Sequence, residues 1–343
     1  MLETLQVIWF ILWALLWAVY FVLDGFDLGL GSLLPFIGSN EEERRIMYNA
    51  AGPFWDGNEV WLISAGGVTF AAFPKVYAVM FSALYAPLLI LLFALIFRAV
   101  SFEFRGKVES GVWRGFWDLV HFLSNLVPSL LLGVTFANLF MGIPIDENGV
   151  YHGNILKLLN PYGLAGGVLF VVMFCYHGAL WLELKSEGNL QAKALKAARV
   201  LWPVLLALVL LFLALTGHFT ESFTRLAQHP AAYAALALAV IGLVGSRLAL
   251  NNCTLVAWLC SALFILGLTF FGVFGMYPGI ILSSIDQAYS ITVYNAASSP
   301  LTLKIMLTVT LCAVPVVLLY QAWVYWTFAH KVTKEVLKDE HSY

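Results

Sequence analysis

A series of apolar segments, each long enough to cross a lipid bilayer, is the strongest constraint on the fold of this chain. A helix needs about 20 residues to span the roughly 30 Å hydrocarbon core of a membrane. Eight segments reach about that length, at residues 5–24, 76–97, 116–141, 162–184, 200–218, 231–250, 254–275 and 302–328. Only 11% of the residues are charged, which is far below ordinary soluble usage. The sequence therefore predicts an all-α, polytopic membrane protein with about eight transmembrane helices.

The segment 41–73 is apolar only in its second half. The stretch between Glu59 and Phe73 is too short for a helix to span a bilayer by itself. Asn40 followed by three glutamates is typical of a helix start, because acidic residues favour the first turn. We therefore predict one interfacial or half-inserted helix over residues 41–73.

The polar connections between the apolar segments are too short to form domains with their own hydrophobic cores. The longest connections are residues 38–59, 142–161 and 276–301. The predicted organisation is a first four-helix membrane unit over 1–141, a second over 162–328, and a cytoplasmic tail at 329–343.

The distribution of lysine and arginine predicts the orientation in the membrane, because these residues are enriched in cytoplasmic loops. If the N-terminus is cytoplasmic and eight helices alternate in direction, the inner segments hold twelve of these residues and the outer ones hold six. The six include Arg44 and Arg45, which lie in the predicted helix at 41–73. This count predicts that both termini are cytoplasmic.

Two aspartates and several glycines follow the first apolar segment. Asp24 and Asp27 are spaced i, i+3, so they share one face of a helix. Ionisable side chains in a membrane cost about 2.5–3.5 kcal/mol on insertion scales, and they usually face the protein interior or a water path. Gly25 and Gly29 allow another helix to approach closely. We expect both carboxyl groups to be packed against protein.

A second polar group lies between two tryptophans, Trp55 and Trp61. Its carboxyl groups, Asp56 and Glu59, again share one helix face. One interpretation is an interfacial helix whose tryptophans lie at the headgroups and whose acids face water. The other is a proton-handling carboxylate at the mouth of a buried path, since intramembrane carboxylates serve as relay groups. Four acids in two adjacent segments would repel unless some are protonated or paired.

A third polar group follows the second apolar segment and contains Arg98, Glu103, Arg105 and Lys107. Basic residues here are typical of anchoring at the cytoplasmic face, and Glu103 and Lys107 are spaced for an ion pair on a helix. The alternative is that a partner subunit docks on Arg98. We assign Trp55, Arg98, Glu103 and Arg105 an interface or structural role.

The sequence indicates no haem or metal ligands in this chain. Of its seven histidines, His121 and His177 lie within apolar segments and His218 lies at the end of one. A haem held between helices needs facing axial ligands, commonly His or Met, and no apolar segment contains two histidines. The four cysteines form no Cys-x-x-Cys pair. Nucleotide-binding and nucleophile-elbow motifs are also absent from the sequence.

Taken together, these polar groups resemble subunit II of the cytochrome bd quinol oxidases. The resemblance is carried by the stretches Phe21–Gly31, Glu43–Met47, Pro53–Ile63, Phe97–Arg105, Asn160–Leu164 and Tyr320–Trp326. These stretches are ordered along the whole chain and are densest in its first third.

The resemblance implies a terminal respiratory oxidase of prokaryotic cytoplasmic membranes, in which quinol is oxidised and O₂ is reduced to water. Protons for this reaction come from the cytoplasm, so a proton-motive force forms without pumping. In this family two b-type haems, one d-type haem and the quinol-oxidising loop belong to subunit I. Subunit II packs against subunit I and is required for a stable, haem-loaded complex. A small single-span subunit and a bound structural quinone or lipid are further expectations.

Three residues match positions that have assigned roles in this family. Asp27 matches the first-helix aspartate proposed for proton delivery toward the haem site. Asp56 matches the carboxylate of the Trp-Asp-Gly-Asn motif, which is assigned to proton uptake or interface structure. Trp61 matches the position associated with dioxygen access in some members. Asp24 and Glu59 are further candidates for the proton path.

Two other functions remain open from the sequence. Paired intramembrane carboxylates also suit a proton-coupled secondary transporter, although we find no pair of interrupted segments of the kind that marks inverted repeats in such proteins. A purely structural scaffold, whose acids only form hydrogen bonds across an interface, is the other.

Overall fold

A computed structural model describes residues 2–338, which are almost entirely α-helical. The helices are α1 (Leu2–Ile37), α2 (Glu41–Ala51), α3 (Trp55–Ala72), α4 (Pro74–Ala83), α5 (Tyr85–Phe104), α6 (Gly111–Met141), α7 (Ile155–Leu158), α8 (Pro161–Lys185), α9 (Gly188–Phe219), α10 (Ser222–Leu226), α11 (Pro230–Ala249), α12 (Thr254–Phe274), α13 (Val293–Ala296) and α14 (Pro300–Thr327). Two short antiparallel strands, β1 (Gly279–Ile281) and β2 (Ile291–Thr292), lie between α12 and α13.

Among the described residues, eight helices are long and apolar enough to cross a membrane, namely α1, α5, α6, α8, α9, α11, α12 and α14. This confirms the predicted all-α, polytopic class. The bounds differ most at the segment predicted over 76–97, where the chain forms α4 and α5 with a break at Leu84. Pro87 contributes to this break, because it has no N–H to donate to the carbonyl of Ala83.

The helix predicted over residues 41–73 is two helices. α2 ends at Ala51, and α3 begins at Trp55 after a turn that contains Gly52 and Pro53. A proline inside a helix removes a backbone hydrogen bond and its ring clashes with the preceding turn, so α2 ends here.

α3 runs alongside α1 in the opposite direction instead of lying flat at the interface. Near its start, Asn58 donates a hydrogen bond to the carbonyl of Leu23 at 3.2 Å. Near its end, Thr69 accepts one from the indole of Trp13 at 2.9 Å. The last turn of α3 then contacts the segment that precedes α14. α3 is therefore a ninth passage through the bundle. The hydropathy pattern of the sequence does not show it as a membrane span, because its first turns are polar.

The nine passages place the two ends of the described chain on opposite faces of the bundle. α1 starts beside the start of α14, where Trp9 Nε1 donates to the carbonyl of Leu303 at 3.0 Å. At the other face, just beyond the end of α1, Arg45 Nη2 donates to the carbonyl of Leu337 at 2.9 Å. The prediction that both termini lie on one side is therefore wrong, because it did not count α3 as a passage. Residues 339–343 of the predicted tail lie outside the described residues.

The additional passage also increases the difference in charge between the two faces. Arg44 and Arg45 move to the richer face, so the distribution of lysine and arginine changes from twelve against six to fourteen against four. We call the richer face the basic face; α1, α5, α8 and α14 end there, and α6 and α9 start there.

α1 is the central helix, and it packs against α3, α6, α8 and α12. Its contact with α8 brings the two backbones together. A Cβ atom on Gly29 would lie 1.7 Å from the carbonyl oxygen of Phe174, and one on Gly178 would lie 2.5 Å from the backbone N of Leu30. This confirms the close helix approach expected at Gly29. Because α1 contacts helices from both halves of the chain, the division into units 1–141 and 162–328 stays a prediction.

A partly buried ion pair attaches α2 to α9 on the basic face. Lys193 Nζ lies 2.6 Å from Glu43 Oε2, and the Ser39 N–H donates to the same oxygen at 2.9 Å. Burial alone would raise the pKa of Glu43, but the hydrogen bonds from Lys193 and Ser39 outweigh it and lower the pKa below its usual value. The pair therefore stabilises the fold fully above the usual glutamate pKa, and this stabilisation is lost as the pH falls through the lowered pKa.

We expect Glu43→Gln to lower the melting temperature of the assembled protein at neutral pH. The difference from the wild type should shrink as the pH falls below the usual glutamate pKa, in scanning calorimetry of the protein over a pH series. Glu42→Gln is the matched control, because Glu42 pairs with Lys334 and both side chains are largely exposed, so its effect should be small at every pH. A Glu43→Gln difference that stays constant with pH would contradict the assignment.

Candidate functional site

Helices α1, α3 and α5 bring buried charged side chains together inside the bundle. Arg98 Nη2 of α5 donates to Asp24 Oδ1 of α1 at 2.7 Å and to Glu59 Oε1 of α3 at 2.6 Å. The side chains of Arg98 and Asp24 have no exposed surface. We call Asp24, Asp27, Asn58, Glu59 and Arg98 the acid cluster.

Asp27 is held differently from the other two acids, and within the described residues it forms no ion pair. Asn58 Nδ2 of α3 donates to Asp27 Oδ2 at 2.7 Å and also to the carbonyl of Leu23 at 3.2 Å. The hydroxyl of Tyr325, on α14, donates to Asn58 Oδ1 at 3.0 Å. Asp27 therefore has a neutral amide as its hydrogen-bond donor, while Asp24 and Glu59 share a guanidinium.

The acids enter the interior because α1 continues well beyond its predicted end at residue 24. It extends to Ile37, so Asp24 and Asp27 lie inside a helix instead of at its end. α3 then places Asn58 and Glu59 beside them, and α5 contributes Arg98 near its last turn. Four helices, including α14 through Tyr325, are needed to build the site.

The charges of the acid cluster do not balance, because it contains three carboxyl groups and one guanidinium. A buried charge without a partner is costly, so the cluster favours holding at least one proton. Several of its buried polar atoms also make no hydrogen bond within the described protein, namely Asp27 Oδ1, Arg98 Nε and Arg98 Nη1. Buried polar atoms are nearly always bonded to protein or to ordered water, so this cluster has the capacity to bind water or a partner's polar groups.

Two of the predicted acids lie on the surface of the chain. Asp56 is exposed in the first turn of α3, where its Oδ1 accepts a hydrogen bond from the Gly57 N–H at 2.7 Å. Glu103 is exposed near the end of α5. Neither belongs to the acid cluster, although Asp56 lies only three residues before Glu59.

The two predicted tryptophans join α3 to its neighbours. Trp61 is buried, and its Nε1 donates to Gln321 Oε1 of α14 at 3.1 Å. Trp55 stacks on Phe102 of α5, with 5.3 Å between the ring centroids and 6° between the planes. Trp61 is buried and Trp55 is half-buried in the described chain.

The predicted basic residues are also buried, which the sequence did not indicate. Arg98 has no exposed surface, so it is available neither as a surface anchor nor as a docking site. Arg105 forms a bidentate pair with Glu41, at 2.9 Å for both contacts, and its Nε donates to Asp118 Oδ1 at 2.6 Å. Arg105 thus joins α2, α5 and α6 on the basic face.

Three residues of these networks were missed at the level of sequence, namely Asn58, Asp118 and Tyr325. Asp118 carried a usable signal, since it is an ionisable residue inside the segment predicted over 116–141. Asn58 and Tyr325 are uncharged, and they become functional candidates only because the fold brings them to Asp27.

The two histidines inside the bundle make hydrogen bonds there, and His177 uses both of its ring nitrogens. His177 Nδ1 pairs with Ser261 Oγ at 2.5 Å, and its Nε2 pairs with the carbonyl of Val22 at 3.1 Å. His121 Nδ1 pairs with Ser101 Oγ at 2.8 Å. Across residues 2–338, no group of three or more His, Cys, Asp or Glu side chains is arranged to hold a metal ion.

Comparison with known proteins gives matches along nearly the whole chain. Residues 5–328 match the family model for cytochrome bd terminal oxidase subunit II. Cytochrome bd ubiquinol oxidase subunit 2 of Bacillus subtilis is 38% identical over 334 residues, which cover 97% of this chain and 98% of that protein. Cytochrome bd-I ubiquinol oxidase subunit 2 of Escherichia coli K12 is 37% identical over 378 aligned positions, covering 99% and 98% of the two chains.

A solved structure shares the fold. The bd oxidase from Geobacillus thermodenitrificans matches with a TM-score of 0.76 at 18% sequence identity, over 95% of this chain and 98% of that one. The fold and the sequence matches together define a helical membrane subunit of a terminal oxidase. The chain belongs to the cytochrome bd terminal oxidase subunit II family.

Family membership confirms the predicted class of protein, its membrane fold and its place as a subunit of a bd-type oxidoreductase complex. It also implies that the complex contains haem and that this chain has a partner subunit I. The roles assigned to Asp24, Asp27, Asp56, Glu59 and Trp61 stay predictions.

Proposed function

We propose that this chain is the haem-free subunit II of a quinol oxidase that reduces O₂ to water, and that it delivers protons to the haem-bearing subunit I. The names of its relatives, ubiquinol oxidase subunit 2, support a quinol as the electron donor. The two b-type haems and the d-type haem are assigned to subunit I. The hydrogen bonds at both ring nitrogens of His177 support this assignment.

We assign the basic face to the cytoplasm of a prokaryotic cell, with the C-terminus inside and the N-terminus outside. The surplus of lysine and arginine on that face supports this orientation. The acid cluster then lies where protons from the cytoplasm can reach it, along the half of α1 that ends at the basic face.

The acid cluster is the observation that carries the proton-delivery proposal. Arg98 holds Asp24 and Glu59, and protonating either carboxylate would weaken a charge-assisted hydrogen bond of 2.7 Å or 2.6 Å. Among residues 2–338, Asp27 accepts only from the Asn58 amide, so it takes up and releases a proton without unpairing Arg98. Asp27 is therefore the proposed relay group, and Asp24 and Glu59 set the electrostatic environment around it.

Substitution of Asp27 by asparagine tests this function. We expect Asp27→Asn to slow O₂ reduction on the order of 10²-fold, the lower end of what a positioned proton-transfer group contributes. The optical haem spectrum and the yield of the complex should stay unchanged, because asparagine keeps the size and one acceptor oxygen of the aspartate. The measurement is quinol-driven O₂ consumption by the purified complex, normalised to haem content.

Asp286→Asn is the control, because Asp286 is an exposed acid in the loop between β1 and β2, on the face opposite the basic face. Its rate should equal that of the wild type. Loss of haem in parallel with activity in Asp27→Asn would instead make Asp27 an assembly residue, and the scaffold function would then be favoured.

Asp56 and Trp61 are the proposed residues for contact with subunit I and for access of O₂. Asp56 is exposed at the start of α3, where it is available to a partner's donors. The indole of Trp61 is buried between α3 and α14, and both helices expose apolar side chains such as Ile63 and Leu318 to the surroundings. O₂ is apolar and dissolves in lipid, so an apolar helix pair is a suitable route.

An apolar cavity of about 660 Å³ supports the expectation of a bound structural quinone or lipid. It is formed by α1, α3, α4, α5 and α6, and its walls include Trp13, Trp17, Phe70 and Tyr85. An isoprenoid or acyl chain suits such walls. A small single-span subunit remains a further proposed partner of the complex.

A further inference from the structure

We propose that Asp27 takes up and releases its proton at one oxygen, Oδ1, and that Asn58 and Tyr325 are positioning residues that reserve the other oxygen, Oδ2, as a hydrogen-bond acceptor. This inference rests on the proposed role of Asp27 in proton delivery. It adds the atom that carries the proton and the residues that select this atom.

The carbonyl of Leu23 fixes the orientation of the Asn58 amide. A backbone carbonyl can only accept a hydrogen bond, so the amide atom 3.2 Å from Leu23 O must be the nitrogen. The same nitrogen lies 2.7 Å from Asp27 Oδ2. Both of its hydrogens are therefore used, one for Leu23 and one for Asp27.

Tyr325 supports the same orientation from the other side. The Asn58 Oδ1 atom can only accept, so the Tyr325 hydroxyl, 3.0 Å away, donates to it. The donors then run in one direction, from Tyr325 through Asn58 to Asp27. A reversed amide would lose this donor, face the Leu23 carbonyl with an oxygen, and leave Asp27 Oδ2 without its donor.

A proton on Asp27 Oδ2 would point at the amide N–H of Asn58, which already donates to that oxygen. Asp27 Oδ1 is buried and makes no hydrogen bond within the described protein, so it is free to bind a proton. Uptake is then addition of one proton to Oδ1 of the carboxylate, which gives the neutral acid. Release is loss of this proton from the same atom, and Oδ2 is the carbonyl oxygen as long as the group is protonated.

The charged and titratable groups near Asp27 come from each helix of the site. Asp24 lies one turn earlier on α1, Glu59 lies on α3, Arg98 lies on α5, and Tyr325 lies on α14. Arg98 Nη2 already donates to Asp24 and Glu59. Asn58 and Tyr325 are therefore the groups that decide which Asp27 oxygen accepts a hydrogen bond.

The test is infrared difference spectroscopy of the complete oxidase complex, read at the C=O stretch of the protonated Asp27 carboxyl group. Asp27→Asn identifies the band by removing it. A hydrogen bond to a carbonyl oxygen lowers its stretching frequency, so Asn58→Leu, which removes the donor to Oδ2, should shift the band to higher wavenumber. Tyr325→Phe should cause a smaller shift in the same direction, because it only weakens the polarisation of the Asn58 amide.

Tyr320→Phe is the matched control, since Tyr320 lies on α14 but is 60% exposed, and it should leave the band in place. The haem spectrum of each variant reports whether the complex has assembled. If Asn58→Leu fails to assemble, Tyr325→Phe provides the test, because it keeps the aromatic ring. The proposal is overturned if the C=O band of Asp27 does not shift in Asn58→Leu. If only Tyr325→Phe assembles, an unshifted band in that variant has the same meaning. The absence of any band that depends on Asp27, at every working pH, would also overturn it.

Failure of this inference and failure of the proposed function give different results. If Asp27→Asn consumes O₂ as fast as the wild type, the proton-delivery role fails whatever the infrared band does. If Asp27→Asn is slow but Asn58→Leu leaves the band unshifted, proton delivery holds and the assignment to Oδ1 is wrong.

Discussion

Replacing Arg98 with methionine is expected to cause the largest loss of assembled complex of any single substitution in the acid cluster. The change leaves Asp24 and Glu59 buried without their shared positive charge. Removing one partner of a buried ion pair costs about 3–5 kcal/mol, because the remaining charge is uncompensated. Methionine keeps an unbranched apolar side chain, so lost packing contributes little. The measurements are the yield of haem-loaded complex from membranes and its melting temperature.

Arg114→Met is the control, because Arg114 also lies near the basic face but is partly exposed and sits 3.6 Å from Glu41. Its effect should be within about 1 kcal/mol, as for other exposed ion pairs. The double variant Arg98→Met with Asp24→Asn should recover part of the loss, since one of the unpaired charges is then removed. If Arg98→Met is as stable as Arg114→Met, the acids of the cluster do not depend on Arg98.

The second large effect is expected from Gly29→Ala, which adds a single methyl group where α1 meets α8. The new Cβ would lie 1.7 Å from the carbonyl oxygen of Phe174. A backbone atom cannot move aside by rotation of a side chain, so the two helices must separate. We expect a loss of about 3 kcal/mol or more, at or above the upper end for an overpacked core. Thermal unfolding of the purified complex measures it.

Gly67→Ala is the matched control on α3, because no atom of the described chain lies within 4 Å of a Cβ atom at that position. Alanine favours a helix over glycine by up to about 1 kcal/mol, so this variant should be equal to or slightly more stable than the wild type. Equal melting temperatures for the two variants would show that α1 and α8 have room to adjust.

The sequence predicts the helices well because a membrane span needs a long apolar run, and eight helices of the described chain have one. It also locates the acids, since an aspartate within such a run is unusual wherever it occurs. The same reliance on long apolar runs explains why the sequence does not predict α3 as a passage through the bundle. Its first turns contain Asn58 and Glu59, which form hydrogen bonds with α1 and α5 inside the bundle, and the exposed Asp56.

The partners of the acids were outside the reach of sequence reasoning. Arg98 lies 74 residues from Asp24 in the chain, and Tyr325 lies 267 residues from Asn58. Nothing in the local pattern around Arg98 distinguishes it from Lys107, which follows it and is exposed. Its burial results from the way α5 packs against α6 beside α1 and α3, which is a property of the tertiary fold.

The attachment of α14 has a consequence for the order in which the protein is made. α14 is the last long helix of the described chain to leave the ribosome, and most of its side surface is exposed. The packing of α1 against α3, α6, α8 and α12 does not include α14. Asn58, however, receives its donor only when Tyr325 arrives. A nascent chain that ends before Ser299 should therefore insert into the membrane with Asp24 and Glu59 already bound to Arg98, and with Asn58 Oδ1 still without the hydrogen bond from Tyr325.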